Sequence, residues 1–148
     1  ELWTVRRDAR LHPDPPDLRD RHAGRACRSV AQLLAQLQVR LANETIGFRL
    51  YAIGSETFVW DVGVLAAASG LGRDEFFPYA IDRSRRRVYC IHCRTMNEDV
   101  ATTVTRCAGC GAQLFVRDHF SRRLAAFMGV QADSECAGEL PPAEEFAA

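Results

Sequence analysis

Hydrophobic positions along this chain change period several times, and the changes divide it into elements. Val30, Leu33, Leu34, Leu37 and Leu41 recur at helical spacing, and Ser29 with Gln32 three positions on makes a capping box ahead of them. A helix of about three turns is therefore predicted from Ser29 to Ala42. Asn43-Glu44-Thr45 turns the chain, and Phe48 to Ile53 has strand composition ending at Gly54. Ser55 can cap a second helix, with Glu56 at its positive end and Phe58, Val59, Val62, Leu65, Ala66 and Ser69 facing inward, until Gly70 and Gly72 stop it. Phe76 to Ile81 reads as another short strand, an edge or irregular one because of Pro78. The order helix, strand, helix, strand predicts half of a doubly wound sheet with a right-handed β-α-β crossover.

The pattern shortens after Asp82. Val88 to Gly111 reads VYCIHCRTMNEDVATTVTRCAGCG, with Cys90, Cys93, Cys107 and Cys110 in two C-x-x-C pairs. Each pair can form a tight knuckle presenting two thiolates to one point, and two knuckles at hairpin distance complete a tetrahedral four-sulfur metal site. Thirteen residues separate the pairs, enough for a two-stranded hairpin of Asn97 to Arg106. Gly109 and Gly111 supply the positive-φ freedom around Cys110 that lets backbone amides turn toward a thiolate. Structural zinc is the reading, with rubredoxin-like iron and two redox pairs as rivals. A redox pair normally opens a helix, whereas Cys93 leads into the polar run Arg94 to Asp99. His92 inside the first knuckle is a spectator beside four cysteines. Ala112 to Arg117 should be a third ribbon strand, and Ser121 can cap a short helix carrying Leu124, Phe127 and Met128, closed by Gly129. Asp118 and His119 near that turn read as capping and packing groups, not as a catalytic pair.

The flanks differ in composition. Residues 1 to 28 mix Arg and Asp with Pro13, Pro15 and Pro16; ELWTV at the start suits an edge strand, and His12 to Ala23 an extended loop. Asp133, Glu135, Glu139, Glu144 and Glu145 make residues 131 to 148 an acidic tail, expected to be disordered or to wrap a partner. The segments are then an extended arm or linker (1–28), an α/β half-domain (29–82), a zinc ribbon with a short helix (83–130) and the tail.

Formal charge is zero, with 19 basic residues, all arginine, against 19 acidic ones, so no overall basic field argues for nucleic acid. Asp82 to Arg87 (DRSRRR) is a basic linker that suits a solvated turn, phosphates or an acidic partner surface. No secretory h-region or run of 18 apolar residues is visible, which together with paired cysteine knuckles places the chain in a reducing, cytoplasmic setting. Cys27 and Cys136 are left as free thiols. An anion site at the amides of Ser55-Glu56-Thr57 is disfavoured by the charge of Glu56.

Two resemblances add to this. Tyr51 to Ile81, YAIGSETFVWDVGVLAAASGLGRDEFFPYAI, is similar to the last β-α-β unit of the nicotinamide-nucleotide domain of ferredoxin reductases. Gly54, Phe58 and Leu71-Gly72 match in place, but Ile53 stands where that family has cysteine and Ser55 where it has proline, and no Gly-rich phosphate loop precedes them. A vestigial, partial Rossmann-like half-domain without hydride chemistry is implied. RVYCIHCRTM and RCAGCGAQLFVRDHFSRRLAAFMGV then resemble the small zinc-ribbon subunit of bacterial dimethylamine monooxygenase, over roughly Ile46 to Glu135. That family oxidatively demethylates dimethylamine to methylamine and formaldehyde with NADPH and O₂. The resemblance implies an α+β or α/β chain, a non-catalytic subunit of a hetero-oligomer with a rubredoxin-like zinc ribbon. Haem would lie on a catalytic subunit, and FMN and a [2Fe-2S] cluster on a reductase subunit. Other readings are a freestanding nucleic-acid-binding ribbon and a rubredoxin-like electron carrier. The half-sheet at Phe48 to Ile81 is short of strands, so a partner interface is expected there.

Overall fold

The structure is a computed structural model that describes residues 1–5, 24–45 and 47–147. The loop expected at His12 to Ala23 lies outside the described residues. The chain forms two compact units, Glu1–Phe48 and Arg49–Ala148.

In the first unit, β1 (Leu2–Val5) pairs in parallel with β2 (Gly24–Cys27), followed by α1 (Val30–Leu41). Ser29 Oγ accepts from Gln32 N at 3.1 Å, while the Gln32 side chain turns back to accept from Arg28 N at 2.7 Å. The capping box thus closes one residue earlier than its usual form. Leu33, Leu37 and Leu41 are buried, the stripe that their spacing predicts. β2 was not expected: GRAC has no apolar alternation, and only Cys27 among its residues is buried.

The second unit begins with β3 (Leu50–Ser55), α2 (Glu56–Ala68) and β4 (Phe76–Asp82), the two strands being parallel neighbours. Ser55 Oγ accepts from Phe58 N at 3.4 Å, so the predicted cap is in place. Gly54 leaves room for Phe58: a Cβ there would lie 2.7 Å from the ring. Val59, Val62 and Ala66 are buried. Of the expected half of a doubly wound sheet, the described residues contain one parallel two-stranded β-α-β unit, and α1 belongs to the other unit. Its outer face carries Tyr51, Ile53, Tyr79 and Ile81, all exposed, with the Tyr51 and Phe77 rings stacked at 4.7 Å.

The ribbon is a five-stranded sheet in the order β6-β5-β9-β8-β7, from β5 (Arg86–Cys90), β6 (Met96–Val100), β7 (Val104–Arg106), β8 (Gln113–Ser121) and β9 (Ala126–Gln131). β5 and β9 run parallel and the other pairs antiparallel. Asn97 to Arg106 is not a hairpin: β6 pairs with β5 and β7 with β8, so the two strands stand at opposite edges and each knuckle is itself a hairpin turn. The chain between them is instead held by the C-terminal segment.

The short helix expected after Ser121 is absent. Ser121 Oγ does accept from Leu124 N, but the bond closes a turn between β8 and β9, with Ala125 at φ 48°. A Ser three residues before an amide opens turns as well as helices. Tertiary packing decides between them, because Ala126, Phe127 and Gly129 form the central strand. A Cβ at Gly129 would stand 2.7 Å from Val88 and 3.0 Å from Leu114, so only glycine fits between β5 and β8 there. The core beneath comprises Val88, Cys90, Val100, Cys107, Leu114, Val116 and Phe127.

The acidic tail folds back on the ribbon, not away from it. Thr103 N donates to Glu144 O at 2.8 Å and Phe146 N to Ala101 O at 3.0 Å, with a bridge between Thr102 and Glu145. Phe146 anchors it against the core. Among the described residues no helix is long and apolar enough to cross a membrane.

Candidate metal centre

The two knuckles have the same backbone pattern. Cys90 N donates to Thr95 O and Arg94 N to Cys90 O, at 3.0 and 2.9 Å; Cys107 N donates to Ala112 O and Gly111 N to Cys107 O, at 2.9 and 3.0 Å. The fourth residue after the first cysteine of each pair lies in the left-handed region, Arg94 at φ 65° and Gly111 at φ 75°. Gly111 meets this at no cost, whereas Arg94 bears the Cβ clash of that conformation. The expected role of Gly109 is different from what its neighbourhood shows. It has no positive φ; a Cβ there would lie 2.0 Å from Thr95 Oγ1 and 3.1 Å from Cys93 Sγ. Gly109 is therefore the point where the second knuckle lies against the first.

Four sulfurs converge on one point. Cys90 Sγ and Cys110 Sγ are 3.9 Å apart, Cys93 Sγ and Cys107 Sγ 3.6 Å, and all four lie within 4.8 Å of one another. Thiolates bound tetrahedrally at a metal–sulfur distance of ~2.3 Å stand about 3.8 Å from each other, so the cluster has the size of a filled site. Cys90 and Cys107 are buried in the ribbon core, Cys93 is half-buried and Cys110 is exposed.

The thiols are electrostatically unequal. The Thr95 hydroxyl, 3.2 Å from Cys93 Sγ, and the Thr95 amide hold the Cys93 thiol at about 6, against the effect of burial. Burial pushes Cys107 up, but the amides of Cys110 and Gly109 outweigh it and the thiol is lowered. The Ala112 amide favours the Cys110 thiolate, yet burial and the neighbouring sulfurs of Cys93, Cys107 and Cys90 push it up to about 11. Such a cluster holds charge poorly alone and well around a cation. It can bind a metal ion.

Other candidates from the sequence are dispersed. His92 is exposed at the tip of the first knuckle, and Cys27 and Cys136 are free thiols outside the cluster. Asp118 and His119 are exposed on β8, where Asp118 lies 3.8 Å from Arg86. The DRSRRR linker is more structural than its composition suggests. Arg87 makes paired hydrogen bonds to Asp61 of α2 at 2.5 and 3.1 Å and contacts both oxygens of Glu98 at 2.8 and 2.9 Å. The Asp61 and then the Glu98 carboxylate hold its guanidinium even more firmly protonated than usual. Arg86 lies between the rings of Phe127 and Phe146, 4.2 and 4.1 Å from their centroids. Asp82 is occupied by the amide and hydroxyl of Ser84.

The sequence reading missed Asn97. It is the buried polar residue of the ribbon, at 6 % exposure, and its carboxamide reaches both knuckles. An amide on a strand directly after a knuckle, at a position whose alternation faces the core, was the available signal.

The comparisons with known proteins fall on this region. Residues 87–130 match the family model described as Dimethylamine monooxygenase subunit DmmA-like, C-terminal domain. The chain is 41 % identical over 107 residues to the Heme-dependent oxidative N-demethylase delta subunit of Ectopseudomonas mendocina (strain ymp), a match covering 72 % of this chain and 61 % of that protein. The chain thus spans about three fifths of the length of this curated relative. No solved structure matches. The family-model match contains all four cysteines and their sheet, and the relative carries the similarity over most of the chain. On these two matches, residues 87–130 are similar to the C-terminal domain of DmmA-like subunits, and most of the chain is similar to an oxidative N-demethylase delta subunit.

Proposed function

We propose that this chain is an accessory, non-catalytic subunit of a multi-subunit, haem-dependent oxidative N-demethylase that acts on dimethylamine with NADPH, and that its ribbon is stapled by zinc. The observation that carries the zinc reading is the four-sulfur cluster, whose spacing suits a tetrahedral ion with four protein ligands. Cys90, Cys93, Cys107 and Cys110 would hold the ion. When bound, zinc supplies cross-linking and charge neutralisation, with no redox chemistry.

The assembly reading rests on the relative's name, a delta subunit, and on an exposed apolar sheet face at Tyr51, Ile53, Tyr79 and Ile81. Partners would be a haem-bearing catalytic subunit and a reductase subunit carrying FMN and a [2Fe-2S] cluster, in the cytoplasm. The nucleic-acid alternative loses its main support because Arg86 and Arg87 are engaged within the fold. The rubredoxin-like alternative uses the same sulfurs and is decided by the metal.

Reconstitution tests the proposal. The haem and flavin subunits are expected to co-purify with this chain, and their dimethylamine-dependent NADPH oxidation to fall when it is withheld. Full turnover without the chain, from a stable complex of the other subunits, would refute the accessory role.

A further inference from the structure

The two knuckles are alike in backbone and unlike in the residue that backs them. Seven residues after the first cysteine of each pair stands a buried side chain on the strand that leaves the knuckle. After Cys107 it is Leu114, with 0 % exposure; after Cys90 it is Asn97, with 6 %. An apolar side chain fills this position on one side, so burial alone does not call for an amide on the other.

The Asn97 carboxamide joins three parts of the site. The two hydrogens of its Nδ2 are shared among three acceptors, Val88 O at 3.2 Å, opposite it on β5, Thr95 O at 3.4 Å within the first knuckle, and a sulfur of the second. The same nitrogen lies 3.8 Å from Cys107 Sγ. Its Oδ1 accepts from Ala108 N at 2.8 Å, inside the second knuckle. Ala108 is the residue after Cys107, so this bond fixes the orientation of the second knuckle from a strand attached to the first. Every polar atom of the amide is used, as a buried polar group requires.

From this geometry we infer that Asn97 is a positioning residue of the four-sulfur centre. It locks the second knuckle against the first before the metal arrives and directs an N–H dipole at the Cys107 thiolate once the metal is bound. The inference rests on the metal-binding reading of Cys90, Cys93, Cys107 and Cys110 and specifies what governs retention of the ion. Outer contacts of this kind change metal affinity by about 10- to 100-fold. Leu114 at the matching position cannot do the same, since it offers neither a donor nor an acceptor.

The test uses the full chain loaded with zinc or cobalt(II). Asn97→Asp keeps the size and the acceptor for Ala108 N but replaces the donor with a carboxylate; Asn97→Leu copies Leu114. Chelator competition should show a 10- to 100-fold loss of affinity in both variants, with faster release of the ion. The cobalt thiolate charge-transfer band should shift in Asn97→Leu, because a sulfur has lost a donor; a residue that only supports the fold would leave that band where it is. Wild-type affinity, release and cobalt spectrum in both variants overturn the inference. A wild-type chain that binds neither ion overturns the metal reading itself, a separate outcome. Should neither variant fold, wild-type protein loaded with NMR-active cadmium gives the second reading. Coupling from the Asn97 carboxamide protons to the metal is expected, and its absence beside coupling from the knuckle amides refutes the proposal.

Discussion

At Gly109 a single missing methyl lets the two knuckles close. A Cβ there would meet Thr95 Oγ1 at 2.0 Å and Cβ at 2.8 Å, so Gly109→Ala must push Thr95 off Cys93 or part the knuckles. The expected cost is about 1–3 kcal/mol, seen as a lower melting temperature and weaker metal retention. Thr95→Ala in the same chain should recover part of the packing loss, because it removes the clashing atoms, and independent additive effects would contradict the contact. Arg94 is the opposite case. Its φ of 65° suits glycine, which Gly111 supplies at the matching place. Arg94→Gly relieves that strain and loses some unfolded-state advantage, for a net gain of about 0.5 kcal/mol, measurable by denaturation; a clear loss would show that the Arg94 side chain matters more than its backbone.

Elements are welded at Arg87. It is anchored on β5 and holds Asp61 of α2 with one side of its guanidinium and Glu98 of β6 with the other. The Trp60 and Phe120 rings, 4.8 Å apart, add an apolar contact between the same helix and the ribbon. Arg87→Met is expected to cost about 2 kcal/mol, discounted because Glu98 is half exposed, and to raise amide exchange in α2 more than in the knuckles. Equal exchange in α2 of variant and wild type would remove the weld.

This scale is also where the sequence stopped being legible. The knuckles, the caps at Ser29 and Ser55 and the leucine stripe of α1 were readable, because each depends on residues within a turn of one another. Strand pairing was not. β6 and β7 look like a hairpin in sequence, but each is paired with the strand across its own knuckle, and the stretch between them is satisfied by Glu144 and Phe146 from more than 40 residues away. The LAAFMG stretch has helical composition and becomes a strand because Gly129 is needed between Val88 and Leu114. Charge misled in the same way: DRSRRR looked like a solvated run, yet Asp61, Glu98 and two phenylalanine rings select Arg87 and Arg86 out of it. Of the site, the convergence of the four cysteines was legible from spacing, while Asn97 and the role of Gly109 needed the two knuckles placed face to face.

For the molecule as a whole, the four-cysteine cluster and the sheet are one structure. Cys90 and Cys107 are core residues of the ribbon, Phe146 of the tail packs on the same core, and α2 is tied to it through Arg87. Loss of the ion should therefore loosen the ribbon first and then the tail and helix that lean on it. The family match covers this ribbon. The most direct measurement is the metal content and visible absorbance of the chain purified under reducing conditions, beside Cys107→Ser. The account predicts a colourless wild-type protein with about one zinc per chain and a variant that loses it; a coloured, iron-loaded chain, or a variant that retains the metal undiminished, would contradict it.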